Sequence, residues 1–178
     1  MKKLFLLPVL MLSLTLSAQG SLKGGIHAGL PTGELADISS FNFGLDVAYL
    51  WEIEAVSGLR VGVATGYDHF IGKDYEKNNP LYNPFFQDLL PKTIKIEVKD
   101  FGFIPLLATG EYDFTSKVFV GLDLGFAIGT GKDQDSGFLF QPKVGLNLLE
   151  KYQLYLSYKS ISSTYATSTF GIGGFYKF

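Results

Sequence analysis

Val118-Phe119-Val120-Gly121-Leu122-Asp123-Leu124-Gly125-Phe126-Ala127-Ile128-Gly129-Thr130 splits into two sets when every second residue is taken. Val118, Val120, Leu122, Leu124, Phe126 and Ile128 fall on one side. Gly121, Asp123, Gly125, Ala127 and Gly129 fall on the other. A period of two is that of a β-strand, whose successive side chains point to opposite faces. One face is an unbroken apolar row, and the other is small and carries a charge.

Seven more segments alternate in the same way. They are Lys23–Leu30, Phe41–Trp51, Leu59–Phe70, Phe103–Phe114, Phe138–Leu148, Tyr152–Lys159 and the terminal run from Ser168 to Phe178. Each is close to the roughly 9–11 residues that a strand needs to cross a hydrocarbon layer. The apolar sets, such as Phe41, Phe43, Leu45, Val47, Tyr49 and Trp51, are placed outside, and the polar sets inside. A one-residue slip would turn Asp46, Arg60, Asp123, Lys143 and Lys159 towards lipid. At roughly 2 kcal/mol per charge that costs about 10 kcal/mol, comparable with the whole stability of a domain. Register is therefore strongly specified. Pro142 removes a ladder donor from an outward position and is read as a bulge.

The connections alternate too. Segments 52–57, 115–117 and 149–151 are short, whereas 32–40, 72–92, 131–136 and 160–167 are longer. Short turns at one end and long loops at the other fit an all-β, eight-stranded, antiparallel up-and-down transmembrane β-barrel. An even strand number puts both termini at the short-turn, periplasmic end. Tyr49, Trp51, Tyr112, Phe114, Tyr152 and Tyr176 then read as an aromatic girdle there.

The two ends of the chain agree with this. Lys2 and Lys3 precede an apolar run, Leu4–Leu16, and Ser17-Ala18-Gln19 offers a cleavage site. Residues 1–18 are expected to be a secretory signal peptide and 19–178 the barrel domain. The run falls short of the roughly 20 apolar residues of a membrane-crossing helix. At the other end, Phe178, Tyr176, Gly174, Ile172 and Phe170 line one face. An aromatic last residue with another aromatic two positions earlier resembles the closing strand of bacterial outer-membrane β-barrels. The Phe103-Ile104-Pro105-Leu106-Leu107 and Gly121-Leu122-Asp123-Leu124-Gly125-Phe126 runs also resemble segments common among small outer-membrane β-barrel domains, the architecture of the OmpA transmembrane domain and of OmpX. The resemblance spans Gly20 to Phe178 and implies residence in the bacterial outer membrane. It also implies that Tyr176 and Phe178 form the assembly signal read by the outer-membrane insertion machinery.

Composition narrows the functions. The chain holds no cysteine, so neither a lipid-anchored cysteine nor a disulfide framework is available. Without residues 1–18 it carries 13 basic and 17 acidic residues, which argues against a nucleic-acid partner. About 160 residues make one domain. The inward set supplies both signs: Lys23, Arg60, Lys143 and Lys159 against Asp46, Glu111 and Asp123. Two arrangements fit these seven. One is a paired, hydrogen-bonded plug. The other is a narrow polar conduit, with water in the space left by inward glycines such as Gly44, Gly62, Gly66, Gly125 and Gly173.

Candidates for chemistry are few. His27 is placed inward near the outer rim, and His69 follows Asp68 close to the same rim. Asp68 and His69 with a loop serine make a thin triad, and His27, His69 and Asp68 lack metal-ligand spacing. No phosphate loop, metal box or dinucleotide fingerprint is present, so no catalytic residue, metal or cofactor is expected. The second long loop is aromatic and proline-rich from Pro80 to Pro91. Tyr82, Phe85 and Phe86 are its candidate contacts, either with a partner or folded back on the barrel mouth. Thr93, Ile94, Ile96 and Val98 read as an extension of the fourth strand beyond the membrane.

The expectation is a non-enzymatic barrel held by outer-membrane lipid. Its extracellular loops would meet an extracellular or envelope protein, in adhesion, envelope structure or a larger assembly. The alternatives are a porin-like passive channel for small solutes and a soluble lipocalin-type binding barrel. The last would need an apolar interior and a polar exterior, the reverse of Val118–Thr130.

Overall fold

In the computed structural model, residues 20–80, 82, 91–131, 134–163 and 167–178 are described. The expected signal peptide lies outside them. The strands are β1 (Gly20–Thr32), β2 (Ser39–Glu52), β3 (Leu59–Gly72), β4 (Tyr75–Asn78), β5 (Thr93–Ile96), β6 (Phe101–Asp113), β7 (Val118–Gly129), β8 (Gly137–Leu148), β9 (Tyr152–Ser162) and β10 (Thr167–Lys177). A single helical turn, α1 (Leu35–Ile38), lies between β1 and β2. Eight strands close a barrel in the order β1-β10-β9-β8-β7-β6-β3-β2. Every pair is antiparallel, and β1 meets β10 from Lys23 opposite Lys177 to Thr32 opposite Ser168. Each of the eight segments read from alternation is one barrel strand, with ends that differ by a few residues.

Burial follows the predicted parity. Ile26, Leu45, Phe126, Leu156 and Phe170 are among the most exposed side chains, whereas Lys23, Asp68 and Glu111 are fully buried. Among the described residues, no outward position of the eight barrel strands carries Lys, Arg, Asp or Glu. This is the reverse of a soluble barrel lined for an apolar ligand. The girdle residues pair ring to ring at the short-turn end. Centroids are 5.0 Å apart for Tyr49 and Trp51, 5.8 Å for Tyr112 and Phe114, and 5.3 Å for Tyr152 and Tyr176. A second aromatic ring, unforeseen in the sequence, crowns the long-loop end. It includes Phe41 with Phe43, Tyr158 with Phe170, and Phe126 with Phe138. From Phe41 to Trp51 is about ten residues at roughly 3.3 Å each. Tilted by about 40°, that spans roughly 25 Å, the height of an outer-membrane apolar band.

Three expectations are corrected. Pro142 is not a bulge: Phe140 opposite Ser160 and Lys143 opposite Ser157 keep one register on either side of it. It stays paired with Leu122 of β7, so its missing N–H interrupts only the ladder towards β9. The one register shift falls between Ser39 and Phe41. Thr93–Ile96 does not lengthen the fourth barrel strand. It pairs back on Tyr75–Asn78 as a separate two-stranded ribbon, closed near its base by Lys95 Nζ to Asp74 Oδ2 at 2.9 Å. Finally, the space at inward glycines such as Gly62 and Gly173 is already occupied. A Cβ at Gly62 would overlap the Tyr49 carbonyl oxygen, and one at Gly173 would overlap the Tyr155 phenol. Tight curvature brings the neighbouring strands into that space.

Candidate functional site in the barrel lumen

The lumen is layered. At the short-turn end Arg60 of β3 forks onto Asp113 of β6, with Nη1 to Oδ2 at 2.7 Å and Nη2 to Oδ1 at 2.9 Å. The same guanidinium donates to Glu111 Oε2 at 3.3 Å. Glu111 also accepts from Lys23 Nζ at 2.5 Å, and Lys23 donates to Gln153 Oε1 at 2.7 Å. Asn147 ties Gln153, Asp113 and Lys177 together. A second unit joins Lys143 Nζ to Asp123 Oδ1 at 2.9 Å, with the Thr109 hydroxyl donating to the same oxygen at 2.6 Å. Lys143 lies over the rings of Tyr155 and Phe175, each centroid 5.7 Å away. These rings and Phe119 form a small apolar cluster.

The third unit is built across one row. Tyr155, Gly173, His27, Gly44 and Asp68 are successive register partners on β9, β10, β1, β2 and β3. With no side chains at Gly173 and Gly44, the larger groups lean over them. A Cβ at Gly44 would meet the His27 ring. His27 Nε2 therefore reaches Asp68 Oδ1 at 2.7 Å, and Nδ1 reaches Asp46 Oδ2 at 2.7 Å. Both ring nitrogens face carboxylate oxygens, and Nε2 also lies 3.4 Å from Lys159 Nζ. Lys159 Nζ donates to Asp68 Oδ1 at 2.5 Å, Asn42 Nδ2 at 3.3 Å, and Tyr155 donates to Asp46 Oδ2 at 3.1 Å.

All seven charges read from the sequence thus face the lumen, in three neighbouring groups. Parity places Asp68 inward as well, whereas His69, its neighbour in the thin triad, points to the opposite face. His69 lies outside against Phe43, with ring centroids 5.0 Å apart, and its Nε2 is 3.3 Å from Asp100 Oδ2. His27, inward as expected, is a buried bridge hydrogen-bonded to Asp46 and Asp68. Asp113, Asn147 and Gln153 join through contacts across strands that alternation alone does not display. Among the described residues no group of three or more His, Cys, Asp or Glu is arranged to hold a metal ion.

Above the charges the lumen turns apolar. Phe70, Phe103, Leu107, Ala127, Leu139 and Ile161 form a buried layer, and Leu35 of α1 inserts into it from the mouth. Gly33, at φ 62°, turns the chain into α1, so a loop residue becomes the cap of the core. Polar side chains fill the middle, and an aliphatic and aromatic seal closes the long-loop end. The arrangement pairs these buried charges in the middle of the barrel, below an apolar layer.

The proposed contacts fall elsewhere. Phe85 and Phe86 lie outside the described residues, and the Tyr82 N–H donates to the Asn79 carbonyl in a turn. Tyr176 and Phe178 sit together on the outer face, ring centroids 5.1 Å apart, and the Phe178 N–H donates to the Leu22 carbonyl across the seam.

No protein-family model matches the chain, and no curated protein matches its sequence. Solved structures do resemble it. The crystal structure of Ail, the attachment invasion locus protein of Yersinia pestis, has a TM-score of 0.55 at 13% identity, covering 92% of this chain and 100% of that one. The backbone structure of Ail in a phospholipid bilayer nanodisc gives 0.53 at 14% identity over 90% and 100%. A de novo designed transmembrane β-barrel gives 0.52 at 12% identity, over 91% of this chain and 98% of that one. Identity this low speaks to fold alone. With its closed eight-strand order and apolar exterior, the chain has the fold of the small eight-stranded outer-membrane β-barrels.

Proposed function

We propose that the protein is an integral, non-enzymatic outer-membrane barrel, exported by its signal peptide, that holds its long-loop end outside the cell to meet a protein partner. The observation behind this reading is that, among the described residues, the outward positions of the barrel strands carry no charge while the inward ones carry buried, paired charges. The exterior suits hydrocarbon and nothing else. A lumen of paired charges leaves the barrel little interior with which to act on a solute, so work falls to the loops. A porin-like role is disfavoured by the apolar layer under Leu35. In this reading Tyr176 and Phe178 serve assembly, and Tyr82, Phe85 and Phe86 are contacts at the outer end.

Two experiments test the reading. Membranes washed with carbonate and with urea should retain the protein; its release would defeat membrane residence. Cross-linking on intact cells should capture a surface or envelope partner, and deletion of Pro80–Pro91 should change that partner set. An unchanged set and phenotype would remove the loop from the proposal.

A further inference from the structure

A cleft of about 1190 Å³ opens at the long-loop end, between α1, the β4–β5 ribbon and the rims of β6 and β7. It lies apart from the charge units, at the rim where Tyr67 and His69 of the outer face and Leu35 and Phe103 of the apolar layer meet. Ile38, Tyr75, Ile96 and Phe101 are half-buried and give it an apolar floor. Its rim is acidic: Glu34, Asp37, Glu76, Asp100 and Asp135 line it against Lys73 and Lys99. Asp100 is already engaged by the Gly72 N–H at 2.9 Å and by His69. Glu34, Asp37 and Glu76 are exposed.

We infer that this cleft is the docking site for a basic segment of a partner protein that alternates cationic with apolar side chains. Three features select this occupant. The volume exceeds the roughly 300–1,000 Å³ of small-molecule sites, which favours a stretch of chain. The acid excess on the rim would repel an anionic ligand and draw a cationic one, while the floor demands apolar groups between the charges. β4 and β5 form a two-stranded sheet, the kind of element to which an incoming extended segment adds as a further strand. The inference rests on the reading that this end of the barrel lies outside the cell and meets a partner.

The test uses the whole protein folded in phosphatidylcholine nanodiscs and fluorescein-labelled peptides, read by anisotropy against empty nanodiscs. The peptides alternate Lys with Leu, Lys with Ser, or Glu with Leu. The Lys/Leu peptide should bind best, the Lys/Ser peptide more weakly, and the Glu/Leu peptide not at all. Each screened charge contributes a few-fold, so Glu34→Gln, Asp37→Asn and Glu76→Gln together should weaken Lys/Leu binding about tenfold. Removal of two acids at the opposite end, Glu54→Gln with Glu150→Gln, should change nothing. Ile96→Ser supplies a second variant, independent of the rim, and should erase the preference for Lys/Leu over Lys/Ser. Binding no better than to empty nanodiscs, or equal binding by wild type and the triple variant, overturns the inference. Should a cross-linked cellular partner survive the triple substitution, the cleft is excluded and the proposed function stands. Peptide binding with no cellular partner would remove the proposed function instead.

Discussion

Asp68 is the anchor of the His27 unit, and its removal is the sharpest test of the lumen's energetics. Its carboxylate is fully buried and receives Lys159 at 2.5 Å, His27 at 2.7 Å and Asn42 at 3.3 Å on one oxygen. Asp68→Ala leaves the Lys159 ammonium, itself only 5% exposed, without its carboxylate. Breaking a buried pair from one side costs roughly 3–5 kcal/mol, because the surviving charge stays desolvated. That is about a fifth or more of a stability of about 5–15 kcal/mol. Asp68→Ala with Lys159→Met removes both charges and should recover about 2 kcal/mol of the loss, since contacting residues couple by roughly 0.5–3 kcal/mol. Urea titration in phosphatidylcholine vesicles measures both variants, and Trp51, the single tryptophan, reports unfolding from the girdle. If Asp68→Ala lies within about 1 kcal/mol of wild type, or the double variant is no more stable than the single one, the charges are not energetically paired.

Gly62→Ala should destabilise the barrel by about 1–3 kcal/mol in the same titration, because the added methyl meets the Tyr49 carbonyl. Gly110→Ala, where the nearest atom is Arg60 O at 4.0 Å, should be tolerated; equal effects would show that strand curvature is not set by these glycines. Reconstitution into planar bilayers should give no stable porin-like conductance steps, and their appearance would restore the channel reading. Deleting Phe178 removes the ring that packs on Tyr176 and the N–H bonded to Leu22. The deletion should lower the amount of heat-modifiable barrel in the outer membrane, and a normal level would show that neither contact matters for assembly.

The strands were legible because a period of two survives any tilt or shear: Val118–Gly129 reads the same in isolation as in the barrel. Parity also found the charges, down to Asp68. It could not tell which charge meets which, because Lys23 and Glu111 lie on β1 and β6, which are not neighbours in the sheet. Nor could it separate the charged middle from the apolar mouth, since Phe70 and Leu139 share the inward parity of Asp68 and Lys143. Leu35 was hidden for a different reason: its burial depends on where Gly33 aims the loop, not on any repeat. Pro142 was misread because one missing donor was taken to displace the chain, whereas the ladder to β7 holds it in place.

The row from Tyr155 through Gly173, His27 and Gly44 to Asp68 ties residues with no chemistry of their own to residues that have it. A side chain at Gly44 would push the imidazole away from Asp68 as surely as replacing the imidazole would. Gly121 stands likewise between Glu111 and Lys143. Each charged unit and its glycines can therefore drift only as a block. A lineage that fills Gly44 must find Asp68 another donor and must also shift the Tyr67 carbonyl, which the added Cβ would meet. Among descendants of this chain, the substitutions that travel with the lumen charges should fall on glycines, not on other charges.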